Sequence, residues 1–301
     1  FTSLAYLGFF AAVFAVHWAV PQKARWAVCL AASAGFYALL GAPMLAVLAL
    51  CIAVSYLGGL WLQRRRGRRP ALALAAAAAL APLLFFKYFN TLLGAYVPES
   101  VRAFSLLTPV GISFFTFQQI AYLVSVYRKE LLKADLIDYL PYITYFPKLL
   151  MGPLMEPVDF VVQLNDLDRK KINWDNLACG VKIFSFGLFK KVMLADTFAA
   201  AVAWGYSNLG VATAMDWLLV MLFYTFEIYF DFSGYSDIAT GVAKLFGIDL
   251  RLNWRRPLFS GSMHEFWTRN HISITTWFRD YLYIGLGGNR VSYPRWLLNI
   301  F

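Results

Sequence analysis

Reactive side chains are densest in residues 265–290, which read EFWTRNHISITTWFRDYLYIGLGGNR. His271 lies near the centre, among three arginines and two carboxylic acids. A neutral imidazole can take a proton from a hydroxyl group, which is general-base chemistry. From spacing alone, a lone histidine is more often a hydrogen-bonded core group than a catalyst. Both interpretations of His271 therefore stay open, while Gly285, Gly287 and Gly288 predict a sharp turn at the end of the segment.

A second group of polar side chains lies in the apolar segment 217–246. The spacing i, i+3, i+7, i+11 places one column on a single helix face: Tyr224, Glu227, Asp231 and Tyr235. A neighbouring column holds Ser233, Asp237, Thr240 and Lys244. A carboxylate at the centre of a bilayer costs about 2.5–3.5 kcal/mol on insertion scales. The columns predict either the lining of a polar cavity or a network that only locks the helices together.

Other apolar segments carry polar side chains that match these columns. Within 181–204 the interrupting residues are Lys190, Lys191 and Asp196. The two lysines could pair with the carboxylates or extend to a membrane interface. Within 105–127 a stripe is formed by Gln118, Tyr122 and Ser125. Together these residues predict that several helices face a shared hydrophilic space.

The elements that must position these residues are transmembrane helices. The chain has 301 residues, 60% of them hydrophobic, and a mean hydropathy of +0.58. Successive apolar runs approach the roughly 20 residues that cross a bilayer: 4–20, 26–40, 44–62 and 71–86. We predict an all-α polytopic bundle of about seven spans, with re-entrant or amphipathic helices between them. Since no repeat or linker occurs, residues 1–301 are predicted to form one domain.

Residues 138–157 are apolar but contain four prolines. Proline breaks helical hydrogen bonding, so we expect two short helices or a re-entrant element here. Broken backbone at membrane depth needs cover from protein or a wet cavity. At membrane depth this segment would therefore need one of these two kinds of cover.

The formal net charge of +10 comes from short basic loops, at 64–69, 128–133, 169–171 and 251–256. The positive-inside rule places these loops in the cytoplasm, and residues 90–103 then form an external loop. A nucleic-acid interface would need aromatic residues interleaved on a soluble platform, so no nucleic-acid partner is expected.

Metal, disulfide and serine-hydrolase sites are not expected. The cysteines Cys29, Cys51 and Cys179 lie in apolar stretches, so we interpret them as small buried hydrophobic residues. No zinc-like spacing and no Gly-x-Ser-x-Gly elbow occurs. His264 and His17 are weaker candidates than His271, and His17 is predicted to lie at a membrane interface.

The two ends also carry predictions. The first residues lack a basic region and a cleavage site, so a cleaved secretory signal is not expected. The chain begins at Phe1, so a few residues are expected to precede it. It stops at Phe301 within a new apolar run, so we expect the protein to continue beyond it.

Five segments in order carry a family resemblance. They are PVGISFFTFQQIAYLVSVYR (109–128), YFPKLLMGPL (145–154), GLFKKVMLAD (187–196), IYFDFSGYSDIATG (228–241) and FWTRNHISITTWFRDYLYIGLGGNR (266–290). The chain resembles the membrane-bound O-acyltransferase family, in particular the bacterial branch that acetylates exported polysaccharides such as alginate.

The resemblance implies a bacterial inner-membrane enzyme with a polar funnel. An acyl thioester, either acetyl-CoA or an acyl carrier protein, would be the cytoplasmic donor, with no permanently bound cofactor. An extracytoplasmic acetyltransferase partner would complete transfer to the polysaccharide. His271 matches the histidine of the family's Arg-Trp-His-Ile-Ser motif, and the second family histidine is expected beyond Phe301. Funnel-lining residues would be Gln118, Glu227, Asp231, Ser233, Tyr235, Asp237, Arg279, Asp280 and Asn289.

The sequence departs from the family pattern at four positions. Asn270 stands where Trp is usual, Ser125 where Asp is frequent, Glu227 where Gln is frequent, and Glu156 where an Arg-containing stretch is common. These departures affect the cavity and the substrate. The acceptor therefore stays open between alginate, cellulose, peptidoglycan and, with D-alanine as the acyl group, teichoic acid.

Two functions of other classes stay open from the residues alone. A glycan transporter or flippase would also carry polar columns across its spans. A scaffold that anchors glycan-synthesis proteins would need no reactive histidine.

Overall fold

The computed structural model describes residues 3–64, 68–93, 96, 98–99, 108–131, 135–169, 171–208 and 210–300. Parts of the predicted basic loops at 64–69, 128–133 and 169–171, and most of the predicted external loop at 90–103, lie outside these residues. Every extended regular element in the described part of the chain is helical, as predicted.

The first helices are α1 (Leu4–Ala19), α2 (Arg25–Ala38), α3 (Ala42–Arg64), α4 (Arg69–Leu93) and α5 (Ile112–Arg128). Of the described helices, α3 and α4 are long and apolar enough to cross a membrane, while α1 is apolar but shorter. Alanines 71, 75 and 79 of α4 are buried, so the alanine-rich stretch is a packed helix surface.

Helix α5 is shorter than the predicted span 105–127, whose first residues lie outside the described part of the chain. It begins after Gly111, which has a left-handed φ of 80°. A Cβ atom at Gly111 would lie 2.8 Å from the carbonyl oxygen of Leu149. Glycine is therefore required here both by the backbone angle and by the close approach of the neighbouring segment.

The proline-rich segment forms short helices, as predicted: α6 (Leu136–Thr144), α7 (Phe146–Leu149) and, after an irregular stretch, α8 (Pro157–Asn165). Its Lys148 is fully buried. The Lys148 ammonium donates to Gln118 Oε1 and to the Tyr142 carbonyl, and it lies 4.3 Å from the Tyr142 ring centre. The broken backbone is thus enclosed by protein, which is the cover that it needs.

The next helices are α9 (Trp174–Leu188), a π-helical segment (Phe189–Ala195), α10 (Asp196–Ser207) and α11 (Ala214–Leu245). Helix α11 has 32 residues, about 48 Å at 1.5 Å per residue. A capping box between Thr213 and Asp216 begins it, because these side chains satisfy backbone N–H groups that the first turn leaves free.

Helices α9 and α11 approach closely through two glycine pairs. A Cβ atom at Gly187 would lie 2.6 Å from the backbone nitrogen of Ile238 and 2.8 Å from the Gly234 carbonyl oxygen. A Cβ atom at Gly180 would lie 3.1 Å from the Gly241 carbonyl oxygen. Gly180 and Gly187 are seven residues apart on α9, and Gly234 and Gly241 are seven residues apart on α11. The contact therefore follows one face of each helix, and it fixes how the polar columns of α11 meet Lys190 and Lys191.

The C-terminal elements are α12 (Met263–Arg269), α13 (Ile272–Trp277), a π-helical segment (Phe278–Tyr283) and α14 (Tyr293–Ile300). The predicted turn is confirmed by left-handed φ angles at Gly287 and Gly288. However, helix α12 ends before His271. Arg269 therefore lies on a different short helix from Ser273 and Thr276.

His17 is enclosed by the protein, and the predictions for the cysteines are largely confirmed. His17 is 5% exposed, and its ring lies 4.9 Å from that of Phe246. It is a core residue because aromatic side chains of α1 and of the end of α11 close around it. Cys29 and Cys51 are buried, Cys179 is half-buried, and all three are free thiols.

Candidate active site

His271 lies in the turn between α12 and α13, outside the predicted spans. Its backbone is left-handed, with φ 44° and ψ 53°, which is uncommon for a residue with a side chain. Strained backbone persists only where the surroundings hold it, and such positions concentrate at functional sites. The break between the two short helices presents the imidazole at a turn instead of on a helix face.

Asn253 holds His271 from a distant part of the chain. Its Oδ1 lies 3.2 Å from Nδ1 of His271 and accepts a hydrogen bond from the Ser273 N–H at 3.0 Å. The Asn253 carbonyl oxygen accepts from the Ile272 N–H at 2.9 Å. One buried asparagine therefore fixes both the backbone after His271 and its ring.

Helix α11 supplies the other side of this arrangement. Ser236 Oγ accepts hydrogen bonds from Asn253 Nδ2 and from Trp254 Nε1, each at 3.2 Å. The His271 ring lies 4.7 Å from the Phe232 ring, edge to face, and 5.8 Å from the Trp254 ring. The imidazole thus lies in an aromatic and amide environment, and it forms no ion pair with a carboxylate in the described part of the chain.

This environment keeps His271 uncharged. Burial lowers the pKa of the imidazole to about 4, although a backbone hydrogen bond opposes that change. A lowered pKa means that the ring is neutral at pH 7 and protonates only in acid. A neutral imidazole can accept a proton, as a general base must.

The predicted carboxylate columns of α11 meet the two lysines of the π-helical segment Phe189–Ala195. Lys191 Nζ lies 2.5 Å from Asp231 Oδ1 and 3.0 Å from Asp196 Oδ1. Lys190 Nζ lies 2.6 Å from Asp237 Oδ2. The pairing between lysines and carboxylates that the sequence allowed is therefore present.

The remaining polar residues of the first column have different surroundings. Tyr224 is exposed and Tyr235 is half-buried. Glu227 Oε2 is buried without a hydrogen-bond partner among the described residues, and so is Ser233 Oγ. Lys244 of the second column is ion-paired with Asp249 in the following loop.

Gln118 is 1% exposed and accepts from Lys148 Nζ, so its described partner belongs to the proline-rich segment. Arg279 and Asp280 pair with each other through two contacts, at 2.6 and 3.0 Å. Asn289 is exposed in the glycine-rich turn. None of these four residues forms a hydrogen bond or ion pair with His271 in the described part of the chain.

An open cavity of about 580 Å³ adjoins the network around His271. Its polar lining includes Ser236, Asp237 and Asn253, while Phe186 of α9 and Phe189 of the adjoining π-helical segment supply aromatic side chains. Small-molecule sites commonly occupy about 300–1,000 Å³ and combine an apolar wall with a few polar groups. The cavity is therefore large enough for the reactive end of a small substrate.

The loop before α12 is anchored by a separate ion cluster. Arg251 contacts Glu156 at 3.0 Å and Asp159 at 2.6 Å. Glu156, one of the departures from the family pattern, thus has a cationic partner. The cluster joins the loop that carries Asn253 to the start of α8.

Sequence reasoning missed Asn253, Ser236, Trp254 and Phe232. Asn253 and Trp254 lie in a basic loop that was interpreted only as a topology signal. Phe232 and Ser236 lie beside the two polar columns of α11. The four-residue spacing of Phe232 and Ser236 shows that they share a helix face, but nothing local identifies the partner. Within the described residues no group of His, Cys, Asp and Glu could hold a metal ion.

Comparison with known proteins gives consistent relatives. The chain is 35% identical over its whole length to a probable alginate O-acetylase AlgI of Pseudomonas aeruginosa, covering 60% of that protein. It is 32% identical over 87% of its length to a peptidoglycan O-acetyltransferase of Helicobacter pylori, covering 55% of it. A teichoic acid D-alanyltransferase of Streptococcus thermophilus is 30% identical over 60% of the chain, which covers 45% of that relative.

The chain thus spans about three fifths of the length of the alginate O-acetylase and less of the other two relatives. Residues 130–296 match the membrane-bound O-acyltransferase family. This range includes both π-helical segments, α11 and the His271 turn. The five ordered segments, the helical fold and this match all indicate the same family. The chain belongs to the membrane-bound O-acyltransferase family.

Proposed function

We propose that this protein is an O-acyltransferase of a bacterial inner membrane. It would transfer an acyl group, acetyl in the first instance, from a cytoplasmic thioester to an exported polysaccharide. The observation that carries the proposal is the neutral His271, held by Asn253, a residue that also lines an open cavity. The names of the relatives support acyl transfer to a cell-envelope polymer.

The chemistry requires a proton to leave the acceptor hydroxyl group as its oxygen attacks the thioester carbonyl carbon. A histidine takes that proton while the new C–O bond forms. The C–S bond then breaks, and the departing thiolate receives the proton. The products are an ester and a free thiol, so atoms and charge balance without a metal or a redox cofactor.

His271 is proposed as one histidine of a pair, with the second family histidine beyond Phe301. His271 supplies the base within the present chain, or holds the acceptor while the second histidine takes the proton. The ion-paired Asp231 and Asp237, with Glu227 and Ser233, would form the wall of the polar funnel. The same proposal extends to Tyr235, Gln118, Arg279, Asp280 and Asn289.

The cavity beside Ser236 and Asn253 is proposed to receive the thioester end of the donor. Its aromatic wall suits the apolar part of an acyl-carrying arm, and its polar groups suit amides. Acetyl-CoA and an acyl carrier protein present the same arm, so either could serve. No other cofactor is proposed.

The membrane arrangement is also part of the proposal. Residues 1–301 would form one multi-pass domain around the funnel, in contact with lipid. The basic loops would face the cytoplasm, where the thioester is available. An extracytoplasmic partner would complete transfer to the glycan, with alginate as the first acceptor to test and cellulose, peptidoglycan or teichoic acid as alternatives.

The test uses full-length protein in native inside-out membrane vesicles that contain its extracytoplasmic partner. Acetyl-CoA labelled in the acetyl group is supplied, and label in the polysaccharide is counted. His271→Ala is expected to lower the rate by about 100-fold or more, the usual contribution of a general base. His264→Ala, at an exposed position of α12, serves as the matched control and keeps the rate.

A normally expressed His271→Ala protein with the wild-type rate contradicts the role of His271. Movement of intact glycan without transfer of label would instead show a transporter. Label transfer that needs neither His271 nor the second family histidine would show a scaffold whose partner protein carries out the acyl transfer.

A further inference from the structure

We infer that Asn253 is a positioning residue that fixes His271 as the tautomer with hydrogen on Nδ1, leaving Nε2 free to take the proton. The inference rests on the proposed function for its catalytic meaning. Its structural content is which ring nitrogen carries the hydrogen, and that is decided by the hydrogen bonds of Asn253.

The orientation of the Asn253 amide is determined by a backbone group. The Ser273 N–H, which can only donate, lies 3.0 Å from Asn253 Oδ1. A flipped amide would place its NH₂ group against this N–H, so two donors would face each other. On the other side, Nδ2 donates to Ser236 Oγ, which is a satisfied bond. The atom facing Ser273 is therefore the amide oxygen.

The tautomer of His271 follows from that orientation. The same Oδ1 lies 3.2 Å from His271 Nδ1, and a carbonyl oxygen can only accept. Nδ1 must therefore carry the hydrogen. Since the ring is neutral, Nε2 then has a free lone pair. No described residue makes a hydrogen bond with Nε2.

The arrangement is rigid. Asn253 is 3% exposed, and its carbonyl oxygen accepts from the Ile272 N–H at 2.9 Å. Trp254 Nε1 donates to Ser236 Oγ at 3.2 Å, which fixes the acceptor of Nδ2. Because buried polar groups are costly when unpaired, each of these bonds opposes rotation of the Asn253 side chain.

The ring contacts of His271 make the inference testable through pH. Within the described residues, the hydrogen-bonding and aromatic neighbours of the ring are Asn253, Phe232 and Trp254, and none of them is charged. An aspartate at position 253 would keep both acceptor bonds but place a negative charge beside Nδ1. A nearby negative charge favours the protonated ring.

The experiment measures acetyl transfer by full-length protein as a function of pH. Asn253→Ala is expected to lower kcat by about 10–100-fold, the usual effect of removing a group that orients a histidine. Asn253→Asp is expected to recover most of that loss and to move the acid limb of the rate profile to higher pH. Asn176→Asp is the control, because it makes the same chemical change in the first turn of α9, where negative charge is compatible with the helix. It should leave both kcat and the acid limb of the rate profile unchanged.

Spectroscopy gives a readout that does not depend on activity. Full-length protein with ¹⁵N-labelled histidine is compared with its His271→Gln variant, so the difference spectrum isolates His271. A protonated Nδ1 and an unprotonated Nε2 are expected, and the reverse pattern overturns the inference. If Asn253→Ala fails to fold, the inference is tested by this spectrum and by the pH–rate profile of Asn253→Asp.

The two proposals fail in different ways. A fully active His271→Ala protein removes the proposed role of His271 whatever its tautomer. An inactive His271→Ala protein together with a wild-type rate in Asn253→Ala, or an unmoved acid limb in Asn253→Asp, overturns only the role of Asn253.

Discussion

Lys190 Nζ lies 2.6 Å from Asp237 Oδ2, across the contact between the π-helical segment and α11. The Lys190 side chain is 13% exposed and that of Asp237 is 20% exposed, so water reaches this pair poorly. Burying either charge alone is expensive. The pair therefore ties two helices whose glycines already bring their backbones together.

Removing one partner of this pair should destabilise the protein more than removing both. Lys190→Met or Asp237→Leu alone is expected to cost about 3–5 kcal/mol, because an uncompensated charge stays buried. The double variant should recover most of that loss. Thermal unfolding in detergent, followed by tryptophan fluorescence, measures the loss of stability of the two single variants and of the double variant relative to wild type.

The exposed pair of Lys171 and Asp168, whose side chains are 68% and 86% exposed, is the control for this cycle. Surface pairs contribute little, so Lys171→Met should leave the unfolding midpoint unchanged. Single and double variants at Lys190 and Asp237 with additive effects would contradict a coupled pair.

The glycine contacts between α9 and α11 give a second prediction. Gly187→Ala should destabilise the protein by about 1–3 kcal/mol, because its new methyl group forces the helices apart. Gly35→Ala in α2 is the matched control, since nothing lies within 4 Å of a Cβ atom there. The control should be neutral or gain about 0.4–1 kcal/mol, and equal midpoints for both variants would contradict the close approach.

Much of the helical architecture follows from the sequence. Periodicity and hydropathy predicted the run that became α9 to α10 and the long α11, because both are local properties. Four prolines predicted the broken segment, and Gly287 and Gly288 predicted the turn. The lysine pairs were foreseeable as well, since a charge in an apolar helix needs an opposite charge.

The site itself was less predictable. The break at His271 depends on Asn253, 18 residues earlier, and no local pattern encodes that contact. The burial of His17 was not predictable either, because it depends on Phe246, which is distant in the sequence. The left-handed turn at His271 is supported by hydrogen bonds to Asn253, and helical periodicity carries no information about such tertiary contacts.

The loop after α11 gives a prediction for pH. Asp249 lies outside the spans and contacts Lys244 and Arg169. Burial alone would raise the pKa of Asp249, but its hydrogen bonds and attraction to Lys244 and Arg169 outweigh burial and lower it. A lowered pKa stabilises the folded state above the unfolded value of about 3.9, and that stability is lost as pH falls through the folded value.

Asp249→Asn should therefore lower the unfolding temperature at pH 7, and the difference from wild type should shrink below about pH 4. Unfolding midpoints measured from pH 7 down to pH 3 test this. Asp135→Asn, at the exposed N-terminus of α6, is the control, because Asp135 forms no ion pair with another described residue. A difference that stays constant with pH would show that the loss at Asp249 is not electrostatic.

The cavity beside Asn253 gives the last prediction, which separates donor binding from catalysis. Ser185 lines the cavity from an exposed position on α9, so a larger side chain there should fill space without disturbing the core. Ser185→Trp is expected to raise the KM for acetyl-CoA about tenfold or more, equivalent to at least about 1.4 kcal/mol of binding. Its kcat should change little, because His271 and Asn253 are untouched. Cys179→Trp, at a half-buried position on the same helix that does not line the cavity, controls for bulk on α9. An unchanged KM in Ser185→Trp would place the donor elsewhere, and an equal rise in both variants would assign the effect to the helix instead of the cavity.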